Sequence, residues 1–202
     1  MLQELIQQVQ LTDQEDRISW KWGASGSYSA KSAYNAQFLP GSNQRWASKI
    51  WSVRTLHKCK FFAWTAIQHK INTDDVMQIK NWQHNSHCSL CAVEPETAHH
   101  LLKGCTFTHQ VWNQLVLQLQ LQGLANTINV ADLKHWLCKV ASSQATRHES
   151  RRLRGILLFF WWEIWKERNR RIFQHSSLQL NEVVNSIKDD LLLFDAAESV
   201  CN

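Results

Sequence analysis

The chain lacks a basic n-region followed by an apolar run: its first residues, Met1-Leu-Gln-Glu-Leu-Ile-Gln-Gln, match no signal peptide. It also lacks a long hydrophobic stretch. The densest one, from Gly155 to Trp162, is too short to span a bilayer and is bracketed by arginines. Repeats and low-complexity tracts are missing too, apart from a brief Gln/Leu alternation between Gln118 and Gln122. Most pointed is the absence of any acidic residue from Arg17 to Lys70, a span with nine Lys and Arg. Together these absences set the expectation of an intracellular chain, nuclear or cytoplasmic, without a secretory leader, a membrane span or a membrane partner. For such a chain, six cysteines read as reduced thiols or metal ligands rather than a disulfide framework.

What is present fits a folded protein. Of 202 residues, 44% are hydrophobic and 19% charged, enough to bury a core. The formal charge of +5 is unevenly placed: Arg147 to Phe173 alone carries eight basic and three acidic residues. Two basic blocks thus frame a more acidic middle, the layout of an electrostatic footprint for nucleic acid or of a solvated arginine-rich helix face.

Periodicity divides the chain into helices. Ser29 is placed to cap a helix over Ala30 to Leu39, which Pro40-Gly41 stops. Amphipathic or buried helices follow over Arg45–Val53 and His57–His69, and another starts at Thr73 with Asp74-Asp75 in its first turn. Thr108–Leu121, Val130–Ala141, Arg147–Gln174 and Leu180–Ala197 continue the pattern, with Gly123–Asn129 and Ser142–Thr146 as polar connections. Ahead of them, Ile18-Ser-Trp20-Lys-Trp22 alternates as a strand; Gly23-Ala-Ser-Gly26 turns, and Ser27-Tyr28-Ser29 returns as its partner. The expected fold is therefore mainly α: a helical domain with an N-terminal β-hairpin and a small metal element, followed by C-terminal helices.

The metal element is Cys88-Ser-Leu-Cys91, with His100 and Cys105 downstream. Two thiolates from one tight turn, completed by a later His and Cys, fill a tetrahedral zinc shell and leave no open position. His99 fits the spacing as well as His100 does; His84 and His87 would fit only with strain. Gly104 offers a left-handed residue through which a helix ending near Leu102 could bring Cys105 back beside the histidine. Cys59 and Cys138 lack a partner at ligand spacing and read as small core hydrophobes, and Cys201 sits at a fraying end.

Several ordered motifs resemble one family. Asp16-Arg-Ile-Ser-Trp20, Gly26-Ser-Tyr28-Ser-Ala-Lys-Ser-Ala-Tyr34, Ile50-Trp51 and Lys58-Cys-Lys-Phe-Phe-Ala-Trp64 resemble the zinc-binding domain of plant non-LTR reverse transcriptases. So does the metal block, Cys88-Ser-Leu-Cys91, Glu96-Thr97-Ala-His-His100-Leu-Leu, Cys105 and Val111-Trp112. The resemblance covers about Asp16 to Trp112. Trp161-Trp162-Glu-Ile-Trp165-Lys-Glu-Arg168-Asn169-Arg-Arg-Ile-Phe173 is similar to the segment that often follows, ahead of an RNase H domain. In that family the ligand histidine directly precedes a Leu-Leu or Leu-Phe pair, which implies His100 rather than His99. A departure is Leu56-His57 where members often carry a proline before the lysine. The domain division so implied is an extension over 1–15, the zinc-binding domain over 16–122, a helix with connections over 123–146, and a basic, Trp-rich helical segment over 147–202.

The Tyr-x-Asp-Asp polymerase signature is missing. Zinc deaminases need a His-x-Glu ahead of Pro-Cys-x-x-Cys and a water-bearing fourth position; neither occurs here, so catalysis is not expected. Glu94 and Glu96 read as acids favoured at a helix N-terminus with Pro95 in its first turn. The implied role is a non-catalytic zinc module of a retroelement polyprotein that assists non-specific RNA or DNA binding, with Lys58, Lys60, Arg151, Arg152, Arg154, Arg168, Arg170 and Arg171 as candidate phosphate contacts. The alternatives are a scaffold that packs on polymerase or RNase H domains, and a decayed element fragment. Most of the eleven tryptophans, including Trp64, Trp112, Trp136, Trp161 and Trp165, are spaced as core; Trp20 and Trp22 are the candidates for exposure.

Overall fold

The computed structural model describes residues 19–21, 23, 25–36, 45–142 and 146–200. The chain forms two compact units, Met1–Asn43 and Gln44–Asn202. In the first, Ser29 Oγ accepts the Ser32 N–H at 3.1 Å and caps α1 (Ala30–Ala36), as its position suggested. The expected β-hairpin is not seen among the described residues. Trp20 N–H donates to Gly26 O at 2.7 Å and Gly26 N–H to Gly23 O at 3.0 Å. The Ser27 and Ser29 amides then turn to the hydroxyls of Ser25 and Ser32. A ladder needs alternating pairs of exchanged backbone bonds; here the donors of the would-be return strand serve a looped turn and a helix cap. Trp20 still meets Tyr28 edge-on, with ring centroids 5.1 Å apart. Among the described residues the protein has no strand. Trp22 and the Pro40-Gly41 stop lie outside them.

The second unit is helical: α2 (Arg45–Trp51), α3 (His57–Ile67), α4 (Asp74–Ile79), a π-helical turn (His100–Gly104), α5 (Thr106–Gln118), a 3-10 turn (Gln122–Ile128), α6 (Leu133–Ser142), α7 (Arg147–Phe173) and α8 (Leu180–Val200). The central element is α7, which packs against α2, α3, α6, α8 and the π-helical turn. Every residue from Leu153 to Trp161 is buried, the pattern of a helix enclosed on all sides. Thr146 starts it: Glu149 N–H donates to Thr146 Oγ1 at 3.2 Å, satisfying an otherwise orphaned amide. Gly155 allows the close approach of the segment that follows α2, since a Cβ there would lie 3.3 Å from the Arg54 carbonyl oxygen.

Aromatic residues fill the core. Trp112 meets Trp136 and Phe160 at centroid distances of 5.0 Å, and Trp136 meets Trp161 at 5.8 Å, all edge-to-face. The indole N–H groups of Trp112 and Trp136 donate to the Leu124 carbonyl and the Thr127 hydroxyl. Both acceptors lie on the 3-10 turn, so the stretch read as a polar connection is a packed element with Leu124 and Ile128 buried. No helix among the described residues is long and apolar enough to cross a membrane.

Candidate metal centre

Cys88 and Cys91 occupy a tight turn before the π-helical segment. Ala92 N–H donates to Cys88 O at 2.7 Å and Cys88 N–H to Glu94 O at 2.8 Å, so the turn is closed by backbone bonds at both ends. Ala92 takes the left-handed conformation, φ 55°, that reverses the chain after the second cysteine. The amides of Leu90 and Cys91 point at the Cys88 sulfur.

The histidine and the last cysteine come from the π-helical turn. Cys105 N–H donates to His100 O at 2.7 Å, one residue further than an α-helix would allow. This wide turn, rather than the left-handed Gly104 expected from sequence, brings Cys105 back beside His100: Cys105 is extended at φ −66°, ψ 135°, and Gly104 is not among the positive-φ residues. Thr97 Oγ1 accepts the His100 N–H at 3.0 Å, and Thr108 Oγ1 donates to Leu101 O at 2.6 Å, fixing the turn from both sides.

The Sγ atoms of Cys88, Cys91 and Cys105 and a ring nitrogen of His100 lie within 4.8 Å of one another. Cys91 Sγ and His100 Nε2 are 3.3 Å apart. A tetrahedron with zinc–sulfur bonds of about 2.3 Å has edges of roughly 3.8 Å, so the four atoms need contract only slightly around an ion. Cys88 and Cys105 are fully buried, His100 is 7% exposed and Cys91 is half-buried. His99 points elsewhere, its Nε2 lying 2.9 Å from the Ala131 carbonyl oxygen.

The electrostatics favour the thiolate at Cys105. A hydrogen bond shared with Cys88 and the amides of Thr108 and Phe107, at the N-terminus of α5, hold the Cys105 thiol well below its usual range. The same shared hydrogen bond, with burial, pushes Cys88 up. Glu94 Oε2 sits 3.1 Å from His100 Nδ1. A carboxylate there keeps the proton on Nδ1 and turns the Nε2 lone pair toward the sulfurs, the arrangement usual behind a metal-bound imidazole. Sequence reading placed Glu94 at a helix N-terminus, but the helical chain resumes only at Ala98. A six-residue separation from His100 carries no periodic signal by which the pairing could have been found.

Four arginines nominated for phosphate are committed to partners within the protein, Arg154 and Arg168 buried and Arg170 and Arg171 half-buried. Arg168 is 2% exposed. It donates to Glu96 Oε1 at 2.7 Å through Nη2 and at 3.0 Å through Nε, and reaches Asp74 Oδ1 at 3.3 Å. Burial pushes the Glu96 carboxyl up, with the Arg168 guanidinium pulling the other way. Glu96 is thus a core ion-pair partner, not the helix-start acid expected. Arg154 is 6% exposed and donates to the carbonyls of Ser150 and Lys49 at 3.0 and 2.9 Å. Arg170 and Arg171 both bond the buried Glu167, and Arg171 also donates to Ser89 O and Leu90 O at 3.2 and 3.0 Å. A phosphate backbone cannot reach Arg168 or Arg154 in this arrangement. The signal was present: Arg168 lies seven residues after Trp161 and four after Ile164, on the buried stripe of α7. Arg152 and Lys58 are exposed, while Arg151 and Lys60 are half-buried. Cys59 is enclosed and its thiol is pushed up to about 12 by burial.

A closed set of three thiols and one imidazole on a tight turn and a helix end defines a small zinc-binding module. Residues 28–112 match the family described as zinc-binding in reverse transcriptase. The chain is also similar to a putative ribonuclease H protein of Arabidopsis thaliana, 25% identical over 167 residues, which are 81% of this chain and 26% of that protein. The chain therefore spans about a quarter of that relative's length. No solved structure matches the chain.

Proposed function

We propose that the chain is a non-catalytic zinc module of a reverse-transcriptase polyprotein, in which one zinc ion is held by Cys88, Cys91, His100 and Cys105 and the basic surface assists RNA or DNA binding without sequence preference. The carrying observation is the closure of the four donor atoms within 4.8 Å, with Glu94 behind the imidazole. Zinc here would supply folding energy by tying the Cys88 turn to the π-helical turn, not chemistry, since all four positions are filled by protein. Support for the nucleic-acid role is the +5 charge and the acid-free span from Arg17 to Lys70.

Metal content of the purified chain tests the centre. About one equivalent of zinc is expected for the parent and for His99→Ala, and loss of metal for Cys91→Ser and His100→Ala. A metal-free parent, or a His100→Ala variant that keeps its zinc while His99→Ala loses it, would refute the assignment.

A further inference from the structure

Away from the metal centre, α3 and the second half of α7 form a face that the zinc module does not use. Phe61 projects from α3 with 61% of its surface exposed, its ring 6.1 Å from the half-buried Trp64. Lys70 Nζ lies 5.8 Å over the Trp64 ring, and Lys58 Nζ 5.6 Å over Trp162 on α7. Phe62 sits beneath, 5.6 Å from both Trp162 and Trp165, and so holds the tryptophans at the surface of a packed core. Further along α7, Trp162, Trp165, Lys166 and Arg170 line a depression of about 260 Å³ that ends at Phe173, 70% exposed.

Charge selects the occupant. The α3 side of the face lies within the acid-free span from Arg17 to Lys70. On α7 the nearby acids are turned inward: Glu163 is 3% exposed and met by Lys166, and Glu167 is fully buried and met by Arg170 and Arg171. Asp190 lies 3.9 Å from Lys166. A protein partner that buried these rings would have to desolvate the lysines. A polyanion would instead release counterions on meeting them, and unpaired bases would find planar rings interleaved between cations. Duplexes hide their base faces, so the rings add nothing to duplex binding.

We infer that this face binds single-stranded nucleic acid, with Phe61 and Phe173 stacking on bases and Lys58 and Lys70 meeting phosphates. The inference rests on the nucleic-acid part of the proposed function and assigns it a surface. The test is fluorescence anisotropy of the zinc-loaded full chain with labelled oligo(U), oligo(dT) and a blunt DNA duplex over a salt series. Phe61→Ala and Phe173→Ala are each expected to weaken binding of a single strand by about tenfold while leaving duplex binding unchanged. Lys58→Gln should reduce the salt slope by about 0.7. Leu193→Ala, an exposed position on α8, should change nothing. The two oligonucleotides then separate an RNA from a DNA preference. A parent that binds single strands with both phenylalanine variants unaffected would overturn this surface while leaving the broader reading intact. A zinc-loaded parent that binds no oligonucleotide at low salt would overturn both.

Discussion

Arg168 and Glu96, 72 residues apart in sequence, meet in the core through a two-pronged hydrogen bond with contacts at 2.7 and 3.0 Å. The guanidinium comes from the last third of α7, and the carboxylate from the loop that leads into the π-helical turn. With Arg171 on the carbonyls of the Cys88 turn, it makes α7 the wall against which the metal centre is built.

Removing one side of this pair should cost more than the pair contributes, because the other charge stays buried. Arg168→Met is expected to destabilise the protein by about 3–5 kcal/mol in urea unfolding, leaving Glu96 and Asp74 uncompensated. Adding Glu96→Leu to that variant should recover part of the loss. A loss below about 1 kcal/mol for Arg168→Met, the range of exposed pairs, would mean that the pair is solvated.

The segment matched by the family ends at residue 112, yet Trp112 packs on Trp136 and Phe160. A fragment of residues 28–112 is therefore expected to give a poorly dispersed NMR spectrum even with zinc, whereas a fragment of residues 44–202 should be well dispersed. A dispersed spectrum from the shorter fragment would show that α7 is dispensable.

Glu94 is exposed enough to be replaced without disturbing the core. Glu94→Gln is expected to weaken zinc binding by about 10- to 100-fold with secondary structure unchanged, since imidazole orientation and basicity depend on the partner behind it. Competition against a chromophoric chelator gives the answer, and unaltered affinity would remove Glu94 from the centre.

The carboxyl of Glu163 is pushed up to about 7 by burial and a hydrogen bond to Asp190, with Lys166 opposing. Its folded-state pKa lies above the unfolded value, so the folded state holds the proton more tightly. The stability this group contributes is complete below about pH 4.5 and is lost as pH rises through about 7, on the order of 3 kcal/mol. Glu163→Gln should therefore stabilise the protein more at pH 8 than at pH 5. Comparing parent and variant at each pH cancels the separate effect of acid on the thiolates. An equal difference at both pH values would count against the shift.

Most helices were legible because their signals are local: apolar residues at 3.6 spacing mark α2, α3, α5, α6 and α7, and Ser29 caps α1 where its side chain allows. The hairpin was misread because alternation over five residues does not choose between strand and turn; that is decided by which acceptors the amides of Ser27 and Ser29 find. The four clustered side chains, Cys88, Cys91, His100 and Cys105, were legible as types and spacing, and the family resemblance ranked His100 above His99. The 2.9 Å approach of His99 to Ala131, against 3.3 Å between His100 and Cys91, is a tertiary outcome.

The amino-acid sequence by itself determined a helical chain, a Cys-Cys-His-Cys donor set and a basic surface, since each is written in residue type and short-range period. The tertiary structure decided which cations remain at that surface. Arg154 and Arg168 have the same side chain as Arg152, but the first two lie on the buried side of α7, where carbonyl and carboxylate partners compensate their desolvation. Only packing over long sequence separations could select those partners, because the distance of Glu96 from Arg168 along the chain has no period to reveal it.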